Sequence, residues 1–403
     1  MPNGIYDIIT VGGGLGGSAL AKTMAERGAR VLVLERDKQF KDRVRGEQMS
    51  SWGVGEACEL GIYQLLRDTC GHEVRWWQTH LGDAALQRLD CVAESVQHQP
   101  QLAFYHPAMQ EVLLQAAADA GAEVRRGIEV RNVKPGTPAS VMVEQNGRGA
   151  EFCARLVVGA DGRASVVRKW AGFFVQHDPP ERHMAGIIFE NMTALRDDTV
   201  YMRINPILGQ LVLLMPEGKG RVRAYLGWYQ RKNPDRLQGL NDLPRFIAES
   251  VRTGVPAEFY ENAKPAGPLA TFEGADTWVE HPYRAGVALV GDAAASNDPS
   301  FGLGLSLTVR SVRVLRDHLL SLNDWDAAGH GYAAAQDRDY GVIHRVTKWH
   351  GQVFYEPGEE ADARRAKALP LFEQDKTRVL NHFLSGPDLP ADDTVMARFF
   401  GEE

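Results

Sequence analysis

The sequence predicts an α/β protein in which a parallel sheet is interleaved with an antiparallel sheet and followed by a helical C-terminal region. Three observations support this fold class. A strand, a glycine-rich turn, a helix and a second strand follow one another within the first 35 residues. Short β-rich runs occupy residues 175–280, and helical periodicity dominates after Leu303. We therefore expect one domain over residues 1–175 with 281–320, a β-sheet domain over 176–280, and a helical region over 321–403.

Composition restricts the function classes. The 403 residues are 44% hydrophobic and 24% charged, and the formal net charge of −7 makes a nucleic acid partner unexpected. The cysteines Cys58, Cys70, Cys91 and Cys153 show neither C-x-x-C nor Cys/His spacing, so we expect no disulfide framework and no metal site. No apolar run approaches the ~20 residues of a membrane span and no targeting segment is recognised, which favours a cytoplasmic protein. We expect a monomer or a homodimer.

The first βαβ unit follows from hydrophobic periodicity. Ile5–Val11 is a short apolar run that ends in a glycine cluster, as a buried strand does. Ser18–Arg27 carries apolar residues at helical spacing, and Gly28 is the expected C-terminal stop. Arg30–Leu34 is a second strand, closed by Glu35. Strand, turn, helix and strand in this order predict a Rossmann-like unit.

The other predicted elements have the periodicity of their type. They are helices over Met109–Ala120, Leu305–Leu322, Asp324–Phe354 and Asp362–Phe383, and strands over Ala122–Val130, Arg155–Val158, Gly186–Glu190, Val200–Ile204, Gln210–Met215, Arg221–Tyr229 and Val287–Val290. Gly329 and Gly331 predict a weak point in the long helix, and Pro387 and Pro390 predict a mobile end.

The glycine turn fits the dinucleotide-binding pattern G-x-G-x-x-G. Gly12 permits the tight turn, Gly14 lets backbone approach a pyrophosphate, and Gly17 allows the helix to pack closely on the strand. The helix N-terminus favours the anion. Glu35, 21 residues after Gly14, can accept hydrogen bonds from both ribose hydroxyls. The turn alone does not separate NAD from FAD.

Two further motifs follow the glycine turn in order. Residues 157–168 contain Asp161-Gly162, and residues 286–294 contain Gly291-Asp292, continued by Pro299, Gly302 and Gly304. With the N-terminal turn, these segments resemble the FAD-dependent monooxygenases of the aromatic-ring hydroxylase family, over residues ~5 to 310. The resemblance implies a glutathione-reductase-type FAD-binding domain that is interleaved with a β-sheet substrate domain.

The resemblance also implies a set of cofactor contacts. They are Gly12, Gly14, Gly17, Glu35, Arg36, Arg45, His106, Asp161, Asp292, Pro299, Gly302, Gly304 and Leu305. His106 stands where the family usually has an arginine, so its contact with FAD is open. Two alternatives stay open as well: Asp161 serves equally well in a turn with Gly162, and Asp292 can cap the following segment. The loop from Pro299 to Leu305 is implied to lie beside the flavin ring.

The resemblance implies that the protein reduces FAD with NADPH or NADH and then hydroxylates an aromatic or polycyclic small molecule with O₂, through a flavin hydroperoxide. Candidate catalytic side chains on the β-rich segment are His183, Tyr201, Arg203, Tyr225 and Tyr229. Two alternatives remain open at this point: a flavin-dependent reductase of isoprenoid double bonds, similar to geranylgeranyl reductases, and a flavin-binding redox sensor without turnover.

Overall fold

The first sheet of the protein contains eight strands and includes the predicted βαβ unit. A computed structural model describes residues 4–44, 46–145 and 147–403. The strands of this sheet run in the order Tyr283–Arg284, Val287–Leu289, Arg148–Gly159, Tyr6–Val11, Val31–Glu35 and Glu123–Arg126, and the strands Ala139–Gln145 and Glu129–Lys134 extend it beside Arg148–Gly159. The four central pairings, from Val287–Leu289 to Glu123–Arg126, are parallel.

The central strands of this sheet are buried on both faces, which is why they are near-continuous apolar runs. All five residues of Val31–Glu35 are buried. The helices Leu15–Ala25, His106–Asp119 and Gly304–Ser321 share one apolar core with the sheet. One predicted strand is in fact two: Ala122–Val130 divides into Glu123–Arg126 and Glu129–Lys134, because Gly127 turns the chain with a left-handed φ of +70°.

The second sheet is also eight-stranded and carries the predicted β-rich segment. Its order is Lys264–Pro265, Arg182–Glu190, Arg221–Tyr229, Gln210–Gly218, Thr199–Asn205, Trp76–Leu81 and Ala84–Asp90, and Ala270–Gly274 pairs with Arg182–Glu190. Two strands therefore come from outside residues 176–280. The pairing of Thr199–Asn205 with Trp76–Leu81 is parallel, so the sheet is mixed rather than purely antiparallel. The domain boundaries themselves stay a prediction.

Side chains of the second sheet alternate between two different cores, as the period of a strand requires. Met184, Met215 and Tyr225 belong to the core on one face. Ala185, Leu214 and Trp228 belong to the core on the other face, together with the helix Leu243–Thr253. Tyr225 and Trp228 therefore lie on opposite faces of the sheet.

The helical C-terminal region differs from the prediction in three places. The helix Trp325–Phe354 is continuous through Gly329 and Gly331. Both glycines permit close packing, because a side chain there would overlap or crowd a neighbouring ring, that of Tyr283 or His318. The helix Glu359–Gln374 ends earlier than expected. The final segment forms the helix Asp393–Phe400, whose Phe399 is fully buried, so the expected mobile end is wrong.

The remaining elements are short. The helices are Ser51–Glu59, Tyr63–Thr69, Cys91–Glu94, Val167–Trp170 and His382–Ser385, with 3-10 turns at Leu240–Asp242, Ala257–Phe259, Gly291–Ala293, Pro299–Phe301 and Lys376–Arg378. There are also two small three-stranded sheets. One contains Gln176–His177, Thr277–Trp278 and Ala295–Ser296, and the other contains Gln48–Met49, Gln101–Phe104 and Gly71–Val74. Within the described ranges, each helix is too short or too polar to cross a membrane.

Candidate cofactor and substrate cleft

A cleft of about 610 Å³ opens where the carboxyl ends of the parallel strands face the second sheet. The glycine turn and the carboxyl-terminal residues of Tyr6–Val11 and Val31–Glu35 line one part of it. Four side chains of the second sheet line another part: Met184, Met215, Tyr225 and Phe272. We call this second part the apolar end. A single continuous cavity therefore connects a dinucleotide turn with a pocket of thioether and aromatic side chains.

The three motif glycines have different steric requirements. Gly12 has a left-handed φ of +103°, and a Cβ there would overlap the Ala160 carbonyl oxygen. A Cβ at Gly17 would overlap the Gly12 carbonyl oxygen, so Gly17 permits the close helix–strand contact. Gly14 is the N-cap residue of the helix Leu15–Ala25, and its Cβ position meets only Gln110 Nε2, at 3.2 Å. Gly14 is thus the motif glycine whose side-chain position is free of backbone overlap, and it lines the cleft.

Glu35 is fixed by backbone donors at the end of its strand. Its Oε2 accepts a hydrogen bond from Gly13 N (2.7 Å), and its Oε1 accepts one from Asp37 N (2.6 Å). Each carboxylate oxygen can accept a second hydrogen bond, so the held carboxylate can still receive two ribose hydroxyls. Arg36, which is exposed, also lines the cleft. Arg45 lies outside the described residues.

Asp161 supports both of its sequence-based interpretations. Its Oδ2 accepts hydrogen bonds from Val166 N (2.7 Å) and Val167 N (3.2 Å), as a turn or cap residue does. Its Oδ1 is buried without a hydrogen-bond partner among the described residues, and the residue lines the cleft. A buried, unsatisfied carboxylate oxygen is costly unless a ligand donates to it. This orphaned acceptor fits a bound hydroxyl-bearing cofactor.

His106 and the Gly-Asp segment also line the cleft. His106 begins the helix His106–Asp119, and its Nδ1 lies 2.7 Å from the Gly46 carbonyl oxygen, to which it donates when Nδ1 carries a hydrogen. Asp292 lies in the turn Gly291–Ala293, directly after the strand Val287–Leu289.

The loop after the Gly-Asp segment leads into a long helix whose first turn borders the cleft. Gly302 adopts a left-handed φ of +65°, and a Cβ there would find only Met215 Cε, at 3.9 Å. The 18-residue helix Gly304–Ser321 begins two residues later, and Pro299, Gly302, Gly304 and Leu305 all line the cleft. Unpaired backbone N–H groups of such a helix start favour negative charge beside them.

Two buried carboxylates that no sequence pattern indicated, Asp276 and Asp298, hold this loop. Asp298 accepts from Ser300 N (2.9 Å) and pairs with Arg182, whose Nε lies 3.0 Å from Asp298 Oδ2. Asp276 accepts from Asn297 Nδ2 (2.8 Å), and burial, followed by the nearby Asp298 charge, raises the pKa of Asp276 to about 6. Neither residue had a motif of its own, and only the tertiary structure brings them together.

The structure separates the candidate catalytic residues. Tyr225 lines the cleft. His183 packs on Trp228, with ring centroids 5.7 Å apart, and Tyr201 packs on Phe259, both on the opposite face of the sheet. Arg203 pairs with Asp83 (3.1 Å), and Tyr229 lies beside Arg182; neither residue is part of the cleft lining. Of the five candidates, Tyr225 is the one whose side chain borders the cleft.

Tyr225 belongs to a buried cluster of charged and polar side chains, which we name the Arg223 cluster. Its members are Asp42, Glu47, Glu217, Arg221, Arg223 and Tyr225. The Arg223 side chain is fully buried, lies 2.9 Å from both Asp42 carboxylate oxygens and lies 3.2 Å (Nε) from Glu47 Oε1. Tyr225 donates a short hydrogen bond to Glu47 Oε2. Glu217 Oε2 lies 3.6 Å from Arg221 Nε. Strand alternation could have placed Arg221, Arg223 and Tyr225 on one face, but not their acidic partners.

Glu217→Gln is expected to change the pH dependence of stability. Burial, followed by the Glu47 charge, raises the pKa of Glu217 from 4.5 to about 8. The folded chain therefore binds this proton more tightly than the unfolded chain, and stability falls as the pH rises from about 5 to about 8. Glutamine removes this loss, so the variant should be more stable than the wild type at pH 7, by roughly 3 kcal/mol at ~1.4 kcal/mol per pKa unit.

Urea unfolding of both proteins at pH 5 and pH 8 measures this effect. The exposed Glu151, on the strand Arg148–Gly159, provides the matched control: Glu151→Gln should leave the pH dependence unchanged. If Glu217→Gln and the wild type lose stability in parallel between the two pH values, the Glu217 carboxyl does not titrate in this window.

Comparisons with known proteins agree with this geometry. The family model described as FAD binding domain matches residues 6–339. Digeranylgeranylglycerophospholipid reductase 2 of Methanopyrus kandleri is 26% identical over 385 residues, 90% of each chain. Aklavinone 12-hydroxylase DnrF of Streptomyces peucetius is 27% identical over 342 residues, 74% of this chain and 64% of the hydroxylase. The p-nitrophenol 4-monooxygenase PnpA from Pseudomonas putida has a TM-score of 0.77 at 17% identity, covering 99% of this chain and 97% of its own.

The matched region covers the βαβ unit, the Asp-Gly and Gly-Asp motifs and every strand of the second sheet. The predicted fold class is confirmed, and the resemblance drawn from the motifs is confirmed at the level of family and fold. The chain belongs to the FAD binding domain family and is an FAD-dependent oxidoreductase with the fold of the flavin-dependent aromatic hydroxylases.

Proposed function

We propose that the protein is an NAD(P)H-using monooxygenase that hydroxylates an aromatic or polycyclic small molecule. The observation that carries this proposal is the continuity of the cleft from the dinucleotide turn to the apolar end. Bound FAD supplies hydride acceptance from NAD(P)H and the activation of O₂. The chain's own residues bind and orient the reactants and exclude water.

We assign the cofactor contacts to the lining residues that the motifs single out. Gly14 and the start of the helix Leu15–Ala25 bind the pyrophosphate, and Glu35 accepts from the adenosine ribose. Asp292 and the orphaned Asp161 Oδ1 accept from the hydroxyls of the linking chain. The remaining lining residues predicted from the resemblance are assigned to neighbouring parts of the cofactor: Gly12, Arg36, His106, Pro299, Gly302, Gly304 and Leu305.

The apolar end suits a flat, electron-rich ring. Two methionines and two aromatic residues supply adaptable and π-stacking surfaces, and Tyr225 with Glu47 adds one polar group. Packing of a ring in this pocket would displace water from the reaction site. O₂ and an aromatic small molecule are therefore the proposed partners.

A second candidate function is reduction of an isoprenoid double bond. The observation in its favour is the similarity to a digeranylgeranylglycerophospholipid reductase over 90% of the chain, at 26% identity. Both functions need the same FAD site and an apolar pocket, so the fold does not separate them. A redox sensor without turnover, by contrast, would bind FAD but would neither reduce it in response to a substrate nor release a product.

A substrate screen separates the three functions. Holoenzyme with NADPH or NADH is mixed with phenols, indoles, quinones, polyketides and polyprenyl alcohols, and both nicotinamide oxidation and O₂ consumption are recorded. A monooxygenase consumes one O₂ per nicotinamide in the presence of an aromatic compound. Nicotinamide oxidation with a polyprenyl compound and no O₂ consumption would instead establish the reductase, and no acceleration by any compound favours the sensor.

A further inference from the structure

Glu47 and Tyr225 form a carboxyl–phenol pair in the lining of the cleft. The Glu47 side chain is 1% exposed, and its Oε2 accepts the Tyr225 hydroxyl proton in a short hydrogen bond. Its Oε1 faces Arg223 Nε at 3.2 Å but has no well-aligned hydrogen bond among the described residues. One oxygen of this buried carboxyl is therefore incompletely satisfied, which favours a protonated state when the local charge changes.

The neighbours of the pair limit how strongly its negative charge is compensated. Arg223 is shared, because the same guanidinium also binds both oxygens of Asp42 at 2.9 Å. Because the raised pKa of Glu217 keeps this carboxyl neutral near pH 7, the described charges of the Arg223 cluster are the carboxylates of Asp42 and Glu47 and the guanidinium groups of Arg221 and Arg223, with no cation left over. If a further negative charge entered the cleft, binding a proton at the Glu47–Tyr225 pair would be the least costly way to compensate that charge.

We infer that Glu47, reached through Tyr225, is the proton-binding group of the cleft and takes up one proton when bound FAD is reduced. A hydride from NAD(P)H carries two electrons and one proton, so its arrival adds one negative charge to the cleft. One proton from a solvent acid (hydronium or protonated buffer, whose conjugate base stays in solution) then bonds to Tyr225 Oη while Tyr225 passes its own proton to Glu47 Oε2. The net change is neutralisation of the Glu47 carboxylate, and Tyr225 is regenerated.

This inference holds for any reaction in which the protein reduces FAD, so it does not depend on oxygen transfer. Three charged or titratable groups act on the pair: Asp42, Arg223 and Glu217. Around them, Arg221 stacks over Tyr105, and His106 Nδ1 contacts the Gly46 carbonyl oxygen. Burial raises the pKa of Glu47, and Arg223 and Tyr225 lower it in part. Burial, followed by the Glu47 charge, holds the pKa of Tyr225 well above its ordinary value, so Tyr225 passes a proton on rather than keeping a charge.

Proton uptake on reduction tests the inference without a substrate. Holoenzyme is reduced without O₂ by NADPH or NADH in weakly buffered solution from about pH 5 to about pH 9, and protons bound per two electrons are measured with a pH indicator. Within the window where Glu47 titrates, the wild type should bind about one proton more than Glu47→Gln. Glu217→Gln is the matched control, since Glu217 belongs to the same buried cluster but does not line the cleft. Below about pH 7, where the raised pKa keeps Glu217 protonated in the wild type, this variant should keep the additional proton.

Tyr225→Phe provides an independent test of the inference. It can be measured even if Glu47→Gln does not retain FAD. Loss of the hydroxyl donor raises the pKa of Glu47, so the window of additional uptake should move to higher pH. Tyr260→Phe, which changes a buried tyrosine packed on Phe189 in the other core, should not move it. Wild-type uptake in Glu47→Gln, loss of the proton in Glu217→Gln instead, or an unmoved window in Tyr225→Phe would each overturn the assignment.

Discussion

Gly14→Val is expected to produce a folded protein that no longer retains FAD. Gly14 has φ −73° and ψ −167°, an extended conformation that valine adopts readily, and its Cβ position is free of backbone overlap. The isopropyl group would project into the cleft where the pyrophosphate must approach backbone N–H groups. FAD affinity should fall at least about a hundredfold, or ~3 kcal/mol. Equilibrium dialysis gives the affinity, and circular dichroism with urea unfolding reports the fold.

A valine on the helix Trp325–Phe354 supplies the control for this experiment. Gly341 lies there with no atom within 4 Å of an added Cβ, so Gly341→Val makes the same chemical change away from the cleft. This control should bind FAD as the wild type does. Full flavin content in purified Gly14→Val would show that the pyrophosphate binds elsewhere.

Arg223→Leu is expected to destabilise the protein by about 3–5 kcal/mol, because it leaves the buried carboxylates of Asp42 and Glu47 without their guanidinium. Domains are typically stable by only about 5–15 kcal/mol, so this loss is a large fraction of the total. Urea unfolding at neutral pH measures it. The double variant Arg223→Leu with Glu47→Gln should recover part of the loss, since one uncompensated charge is removed.

An exposed ion pair provides the control for the buried Arg223 cluster. Arg236 and Glu273 are paired, but their side chains are 46% and 49% exposed. Arg236→Leu should therefore change the free energy of unfolding by less than about 1 kcal/mol. Equal losses in Arg223→Leu and Arg236→Leu would mean that burial of the Arg223 cluster contributes nothing to its effect.

Local patterns were sufficient to predict the parts of the fold that depend on near neighbours in sequence. The strand Val31–Glu35 and the strand Arg221–Tyr229 lie where periodicity predicts them, because burial of one or both faces imposes that periodicity. The glycines of the turn were also recognisable, since Gly12 and Gly17 occupy positions where any side chain would overlap backbone. Proline and glycine signals were less reliable where tertiary packing overrode them, as at Gly329.

Long-range contacts account for what the sequence could not show. The joining of Trp76–Leu81 to Thr199–Asn205 brings together segments about 120 residues apart, and no local signal specifies that register. Glu47 lies near Arg45, where a motif was recognised, but its partner Arg223 is 176 residues away. Candidates such as His183 and Tyr201 had suitable chemistry on the wrong face of the sheet. The face depends on strand pairing, which composition does not reveal.

Oxygen transfer is tested most directly by mass spectrometry of the product formed under ¹⁸O₂. The reaction uses wild-type holoenzyme, NADPH or NADH, and the compound that most accelerates nicotinamide oxidation. A monooxygenase incorporates one ¹⁸O atom into the product from ¹⁸O₂ and none from labelled water. A product that has gained two hydrogen atoms and carries no label would contradict oxygen transfer and establish double-bond reduction instead.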